Sequence, residues 1–303
     1  MPLLDVFVNN LLPILLLSGA AFALGRGLKL DSRPLGRIIF YILSPALIFN
    51  LLTSSKLAVE SIVLMMGYSA SVMLTIAGIA LVIGKLLRLE RTALTAVVLT
   101  SLFANNGNYG LPLISFAFGQ EALAYASIYY VTNSLLLYTL GVLIASLGHL
   151  RLKEALLGLL KVPALYAIVL AVVFIQTSWT LPSPIQKTVE LTAGAAVPSM
   201  LILLGLELQK AEWTHNLRAL SIPVVCRLLI GPVIGVAMAA LFGLNSNARK
   251  DGITESGMPS AVMTTVLANE YKLDTSLVTA IVFVSTILSP LTLTPLLYIL
   301  GRK

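Results

Sequence analysis

Cysteine and histidine are almost missing from this chain, and each shortage removes a class of chemistry. One cysteine, Cys226, excludes an intramolecular disulfide, and its apolar neighbours mark it as a buried, inert thiol. The two histidines, His149 and His215, fall in loops, so neither a metal cluster nor an intramembrane serine and histidine pair can be assembled from them. The aspartates, Asp5, Asp31, Asp251 and Asp274, lie near the ends of apolar stretches, which argues against an intramembrane aspartyl dyad. No Gly-x-x-x-x-Gly-Lys-Ser/Thr phosphate loop occurs, so ATP is not the expected energy source. An enzyme and a resident cofactor are both unexpected, and gradients remain as the driving force.

Charge is scarce as well. Only 11% of the 303 residues are charged against 58% hydrophobic, and the mean hydropathy of +0.95 is far from that of a water-soluble domain. An all-α integral membrane protein is expected. A spanning helix needs about 20 apolar residues, and ten stretches qualify: 3–24, 33–52, 60–84, 92–118, 122–147, 162–178, 185–207, 217–242, 251–269 and 275–300. The short loops between them leave no room for a soluble domain. The first stretch ends in Ala21-Phe22-Ala23, which looks like a signal-peptide cleavage site. No Lys or Arg precedes it, however, and Asp5 stands near its start, so it reads as the first span.

The formal net charge of +7 does not call for a nucleic-acid partner, because the positive residues gather in loops. Counted on alternate sides, 13 Lys and Arg face one way and 6 the other, with Arg227 inside a span. The positive-inside bias puts both termini outside and the link around His149 to Lys161 in the cytoplasm. That link, Leu150 to Lys161, reads as an amphipathic interfacial helix or as an extension of a neighbouring one.

Prolines recur at a near-constant offset: Pro13 with Pro163, Pro45 with Pro198, and Pro112 with Pro259, separated by 150, 153 and 147 residues. Proline is common in membrane helices, but these offsets also align the two most broken segments, which favours a duplication into 1–150 and 151–303. Five spans per half is an odd number. The second copy is therefore inverted relative to the first, as in many transporters.

The broken segments are Asn105-Asn106-Gly107-Asn108-Tyr109-Gly110-Leu111-Pro112 and Glu255-Ser256-Gly257-Met258-Pro259-Ser260. Lipid offers no partner to free backbone groups, so unwound chain at membrane depth must be buried in protein or face a watery cavity. A pair of such breaks, one per half, marks the binding site of a secondary transporter. In the first, Gly107, Gly110 and Pro112 split the helix, and the half starting near Pro112 turns an N-terminal dipole inward, where an anion is favoured. Asn105, Asn106 and Asn108 add amides and Tyr109 a hydroxyl; capping of the break is their competing role. The second break adds Glu255, an acid within a span and so a functional candidate. With Ser256, Asn108, Thr132 and Asn133 it would make an oxygen cage for Na⁺; alternatively it binds and releases a proton, or it is a solvated first-turn residue. Arg227 attracts an anionic substrate or snorkels to the surface, and Glu207 is a weak candidate partner for it. Ser44, Pro45 and Asn50 mark a lesser polar kink.

The run at 105–112, together with Gly257-Met258-Pro259-Ser260-Ala261, Leu267-Ala268 and Ser285-Thr286-Ile287-Leu288-Ser289, resembles the auxin efflux carrier family, which includes prokaryotic malate or malonate permease-like proteins. The resemblance spans the whole chain. It implies ten helices as two inverted five-helix repeats, a scaffold and a mobile transport domain, and helices four and nine broken and crossing at the substrate site. Asn108 to Pro112 and Gly257 to Ser260 would form the crossing. Homodimers and elevator-type alternating access are also implied. Glu255-Ser256-Gly257-Met258 is similar to the Glu-x-Gly-Met run of bile acid sodium symporters, whose glutamate serves sodium binding. Plant auxin carriers are regarded as not sodium-driven, so the two parallels disagree. The chain lacks the long central loop of many plant members, which fits a protein of a prokaryotic inner membrane. The expected function is Na⁺-coupled carriage of a small organic anion. A proton-coupled carrier, a uniporter and an anion channel are the alternatives.

Overall fold

The computed structural model describes residues 2–55, 57–146, 157–177 and 179–301. His149 and most of the Leu150-to-Lys161 link lie outside them. Helix α1 spans Leu3–Leu28, α2 Arg33–Ser55, α3 Val59–Leu86, α4 Arg91–Leu102 and α5 Asn106–Ala145. Then follow α6 (Pro163–Thr177), α7 (Ser183–Leu208) and α8 (Leu217–Leu241), the short α9 (Ser246–Ser256) and α10 (Met263–Glu270), and α11 (Thr275–Gly301). Seven of them, α1, α2, α3, α5, α7, α8 and α11, are long and apolar enough to cross a membrane; α4 and α6 are apolar but shorter. Among the described residues no strand forms, and one isolated antiparallel bridge joins Ala104 to Ser260.

Two expected spans have different limits. The stretch 92–118 is divided between α4 and the start of α5, and α5 continues without a loop into the stretch read as 122–147. Only Gly119 interrupts it, at φ 78° and ψ −166°, a backbone region that L side chains avoid. The stretch 251–269 begins earlier, at Ser246, where the Asn245 side chain accepts a hydrogen bond from Ala248 N at 2.9 Å and so caps α9. It ends at Ser256 and resumes at Met263.

Prolines shape several helices through one device. Widened π-type turns at Phe7–Leu11, Ile39–Leu43, Asn106–Gly110 and Cys226–Ile230 each end two residues before a proline, Pro13, Pro45, Pro112 and Pro232. Proline has no N–H and its ring crowds the carbonyl four residues back; widening the turn relieves both problems.

Helices pack in two groups. Helix α7 lies along α1 and α2, and α6 lies against α2. In the other group α3 packs on α4 and α5, α5 on α9, and α8 on α4, α9 and α11. Contacts of α2 and α7 with α5 join the groups. Leu86, Leu191 and Leu241 are more than three-quarters exposed, at 77%, 79% and 76%. Such side chains suit a lipid-facing surface, since they point away from the packed interior.

Candidate functional site

The unwound stretches supply one another's backbone partners. Asn105 N donates to Pro259 O at 2.8 Å and Ala261 N donates to Phe103 O at 2.9 Å. Two chain segments that have left the helical ladder thus form a short antiparallel pairing inside the protein. Pro259 has no N–H of its own to satisfy. Ser260 completes the seam: its N–H donates to Ser285 Oγ at 3.1 Å, and its hydroxyl donates to Thr100 O at 2.8 Å. Asn133 Nδ2 donates to Ala104 O at 3.1 Å. Free N–H and C=O groups are expensive in an apolar interior, and this seam removes most of that cost.

Each break ends one helix and begins another, so both polarities of helix terminus meet here. At the C-terminal ends of α4 and α9, carbonyls are left over. Arg227, from a widened turn of α8, takes them: Nε donates to Met258 O at 3.0 Å, and its two terminal nitrogens reach Ser101 O and Glu255 O, each at 3.4 Å. A cation at helix C-termini is favoured by the dipole as well as by the hydrogen bonds. Arg227 is fully buried, which overturns the snorkelling alternative. Glu207 is not its partner; that carboxylate hydrogen-bonds Ser32 and pairs with Lys210 at 3.1 Å.

At the opposite polarity, the first turn of α5 presents N–H groups that the helix itself cannot satisfy. Asn105, Asn106, Gly107, Tyr109, Gly110 and Pro112 are buried around it, and Asn108 is half-buried. Tyr109 and Ser289 hydroxyls hydrogen-bond at 3.0 Å. Asn106 Nδ2 donates to the Glu255 carboxylate, and to Glu255 O at 3.2 Å. A Cβ at Gly110 would clash with that carboxylate, so glycine here leaves the space that the Glu255 side chain fills.

Glu255 is in the last turn of α9 and fully buried, so it is not the solvated first-turn residue of the alternative reading. Asp251, expected near a span end, stands one turn before Glu255 and is equally buried. Both oxygens of Asp251, Oε1 of Glu255, the Tyr129 hydroxyl and Oδ1 of Asn106 and Asn133 have no hydrogen-bond partner. The four-residue spacing of Asp251 and Glu255, read with the Asn245 cap, is the signal that finds the pair. Of the cage expected around Glu255, Ser256 and Thr132 donate their hydroxyls to their own helices, at Ile253 O and Ile128 O, 2.6 and 2.9 Å away. Met258 and Ser260 are fully buried in the second break. A cavity of about 370 Å³ lies elsewhere, between α2, α6 and α7, where Phe49, Asn50, Thr53 and Trp179 line it. Asn50, part of the lesser polar kink, belongs there rather than to the crossing.

Broken helices that pair inside an apolar, many-span helical bundle define a membrane transporter rather than an enzyme. The chain matches the family described as membrane transport protein over residues 6–151 and 147–298. It is 31% identical to an uncharacterised transporter of Methanothermobacter thermautotrophicus over 86% of each chain. To an uncharacterised transporter of Methanocaldococcus jannaschii it is 28% identical, over 84% of this chain and 85% of the other. A further relative, auxin efflux carrier component 8 of Arabidopsis thaliana, is 26% identical over 43% of this chain and 36% of its own. The chain belongs to this auxin efflux carrier-like family of membrane transport proteins.

Proposed function

We propose that the protein is a secondary carrier of a small organic anion in a prokaryotic inner membrane, coupled to Na⁺. The observation that carries the reading is the backbone pairing of the breaks, which brings the first turn of α5, with Gly110 and the amide of Asn106, against the carboxylate of Glu255; Asn105 and Asn108 flank that turn. An anion is held by the first set through N–H dipoles and amide donors. A cation is held by the second, with Glu255 as its charged ligand and Ser256, Asn108, Thr132 and Asn133 as oxygen donors. Met258, Pro259 and Ser260 shape the opposite wall. Arg227 adds positive potential from behind the carbonyls that it binds. The burial of these residues favours a carrier over an open channel.

The two packing groups support alternating access by an elevator. In this scheme α1, α2, α6 and α7 form a scaffold, within which a second copy docks, and the group built on α5 and α9 moves. The break within α4–α5 and the break within α9–α10 then belong to the fourth and ninth of ten spans in two inverted repeats.

The reading is tested in proteoliposomes with a panel of radiolabelled organic acids. Saturable uptake and counterflow that require Na⁺ are expected, with Asn108→Ala and Pro259→Ala reducing uptake while leaving thermal unfolding near that of the parent. Uptake unchanged in the double variant removes the site assignment. Equal rates with K⁺ in place of Na⁺, or an unaltered Na⁺ dependence in Glu255→Gln, remove the coupling.

A further inference from the structure

Among the described residues, the charged side chains buried in the interior are Arg227, Asp251 and Glu255. One guanidinium against two carboxylates leaves a formal deficit of one positive charge. Arg227 does not close it by direct pairing, because its nitrogens are spent on the carbonyls of Met258, Ser101 and Glu255. An ionised carboxylate buried without partner is too costly to persist alone.

The oxygens without partners are grouped. Asp251 and Glu255, four residues apart, share one face of α9. Oδ1 and Oδ2 of Asp251, Oε1 of Glu255 and the Tyr129 hydroxyl are all buried with no hydrogen-bond partner. Tyr129 is fully buried on α5, which packs along α9, and its ring stands 6.3 Å from that of Tyr68. From α3, Tyr68 lies against Gly252, the neighbour of Asp251, packs edge-on against Tyr129 and donates its own proton to Gly235 O at 3.1 Å. From α8 comes Arg227, whose guanidinium reaches the backbone carbonyl of Glu255 at 3.4 Å. On α5, Tyr125 is engaged by Asn245 Nδ2 at 2.8 Å. The tyrosine of α11, Tyr298, packs instead in the core cluster of Tyr109 and Met258.

We propose that Asp251, Glu255 and the Tyr129 hydroxyl together hold one Na⁺ in a buried site at α9. The donors are oxygens only, which suits a hard cation. A monovalent ion brings the buried charge to zero, whereas a divalent ion would overshoot it. The carrier reading above gave Glu255 its oxygen donors around the crossing; Asp251 and Tyr129 instead extend the site one turn back along α9. The proposal rests on that reading only for the role of Glu255.

The test uses the detergent-purified full chain and follows thermal unfolding by intrinsic fluorescence in NaCl or in choline chloride of equal ionic strength. Ligand binding to the folded state alone raises the unfolding temperature. Na⁺ should raise it in the parent protein. In Asp251→Asn the half-saturating Na⁺ concentration should rise by at least about tenfold, and Tyr129→Phe should raise it by a smaller factor. Glu60→Gln, an exposed change in the first turn of α3, should respond as the parent does. Parental half-saturation in Asp251→Asn overturns the proposal and leaves the cation with Glu255. If Asp251→Asn does not fold, parental half-saturation in Tyr129→Phe overturns it equally. A parent that responds to pH but not to Na⁺ holds a proton there, which also overturns it. The readout needs neither substrate nor flux, so a failed cation site and a failed anion carrier give different results.

Discussion

The two breaks share a backbone device and differ in what their side chains need. In the first, three asparagines surround the start of α5, and one of them, Asn106, points its amide across to the other break. In the second, the end of α9 carries Glu255, which takes that hydrogen bond, and Asp251 one turn before it. Amides bring donors and acceptors in balance, while carboxylates bring acceptors and charge. The second break therefore depends on the first and on Arg227 for its donors. Unwinding is tolerated here because the polar demands of one segment are met by another that is remote in sequence.

The sharpest way to break this picture is Arg227→Met. The guanidinium serves carbonyls at both breaks, so both should suffer, and Glu255 loses the cation that bonds its backbone carbonyl. A loss of about 3–5 kcal/mol in stability is expected, seen as a large fall in unfolding temperature. A loss below about 1 kcal/mol would mean that the seam holds without it.

Asn106→Ala separates the two breaks more selectively. It removes the donor to Glu255 while leaving the backbone pairing intact, for an expected loss of about 1.5–3 kcal/mol. Chemical denaturation of the purified protein measures it, and an effect as small as that of an ordinary surface change would show that the carboxylate has other donors.

Gly110→Ala tests the closeness of the approach. The added methyl meets the Glu255 carboxylate, so about 1–3 kcal/mol of overpacking is expected, together with weaker Na⁺ binding. Full stability in this variant would show that the breaks can separate freely.

Tyr109→Phe removes the hydrogen bond to Ser289 at the rim of the seam, and about 1 kcal/mol is expected. Smallest of all is Lys210→Met. Its partner Glu207 is away from the crossing and Lys210 is 43% exposed, so less than about 1 kcal/mol should be lost. A larger effect there than at Tyr109 would reverse the ranking of interior over periphery.

Much of the frame was legible in the residues. Long apolar runs announce membrane helices because lipid selects on the average hydropathy of about 20 residues. The presence of breaks was legible because Gly, Pro and Asn violate that average and the helical backbone at once. The first, however, opens at Phe103–Asn105, while Gly107, Gly110 and Pro112, expected to split the helix, wind into the first turns of α5. Asp251 was not, since the charged run Arg249-Lys250-Asp251 looks like a loop, although Asn245 caps a helix there. The division of 92–118 at Phe103 was equally hidden: nothing in Leu102-Phe103-Ala104 is a breaker, and the unwinding there serves the pairing with Pro259 and Ala261.

The amino-acid sequence by itself determined a helical, membrane-spanning transporter with two polar interruptions, because hydropathy and backbone chemistry act locally along the chain. Only the tertiary structure decided that the interruptions pair with each other, that Arg227 serves carbonyls from both, and that Asp251 points inward beside Glu255. The reason is physical: whether a polar group is tolerable in an apolar interior depends on partners delivered by other helices, and those partners are absent from its own stretch of chain.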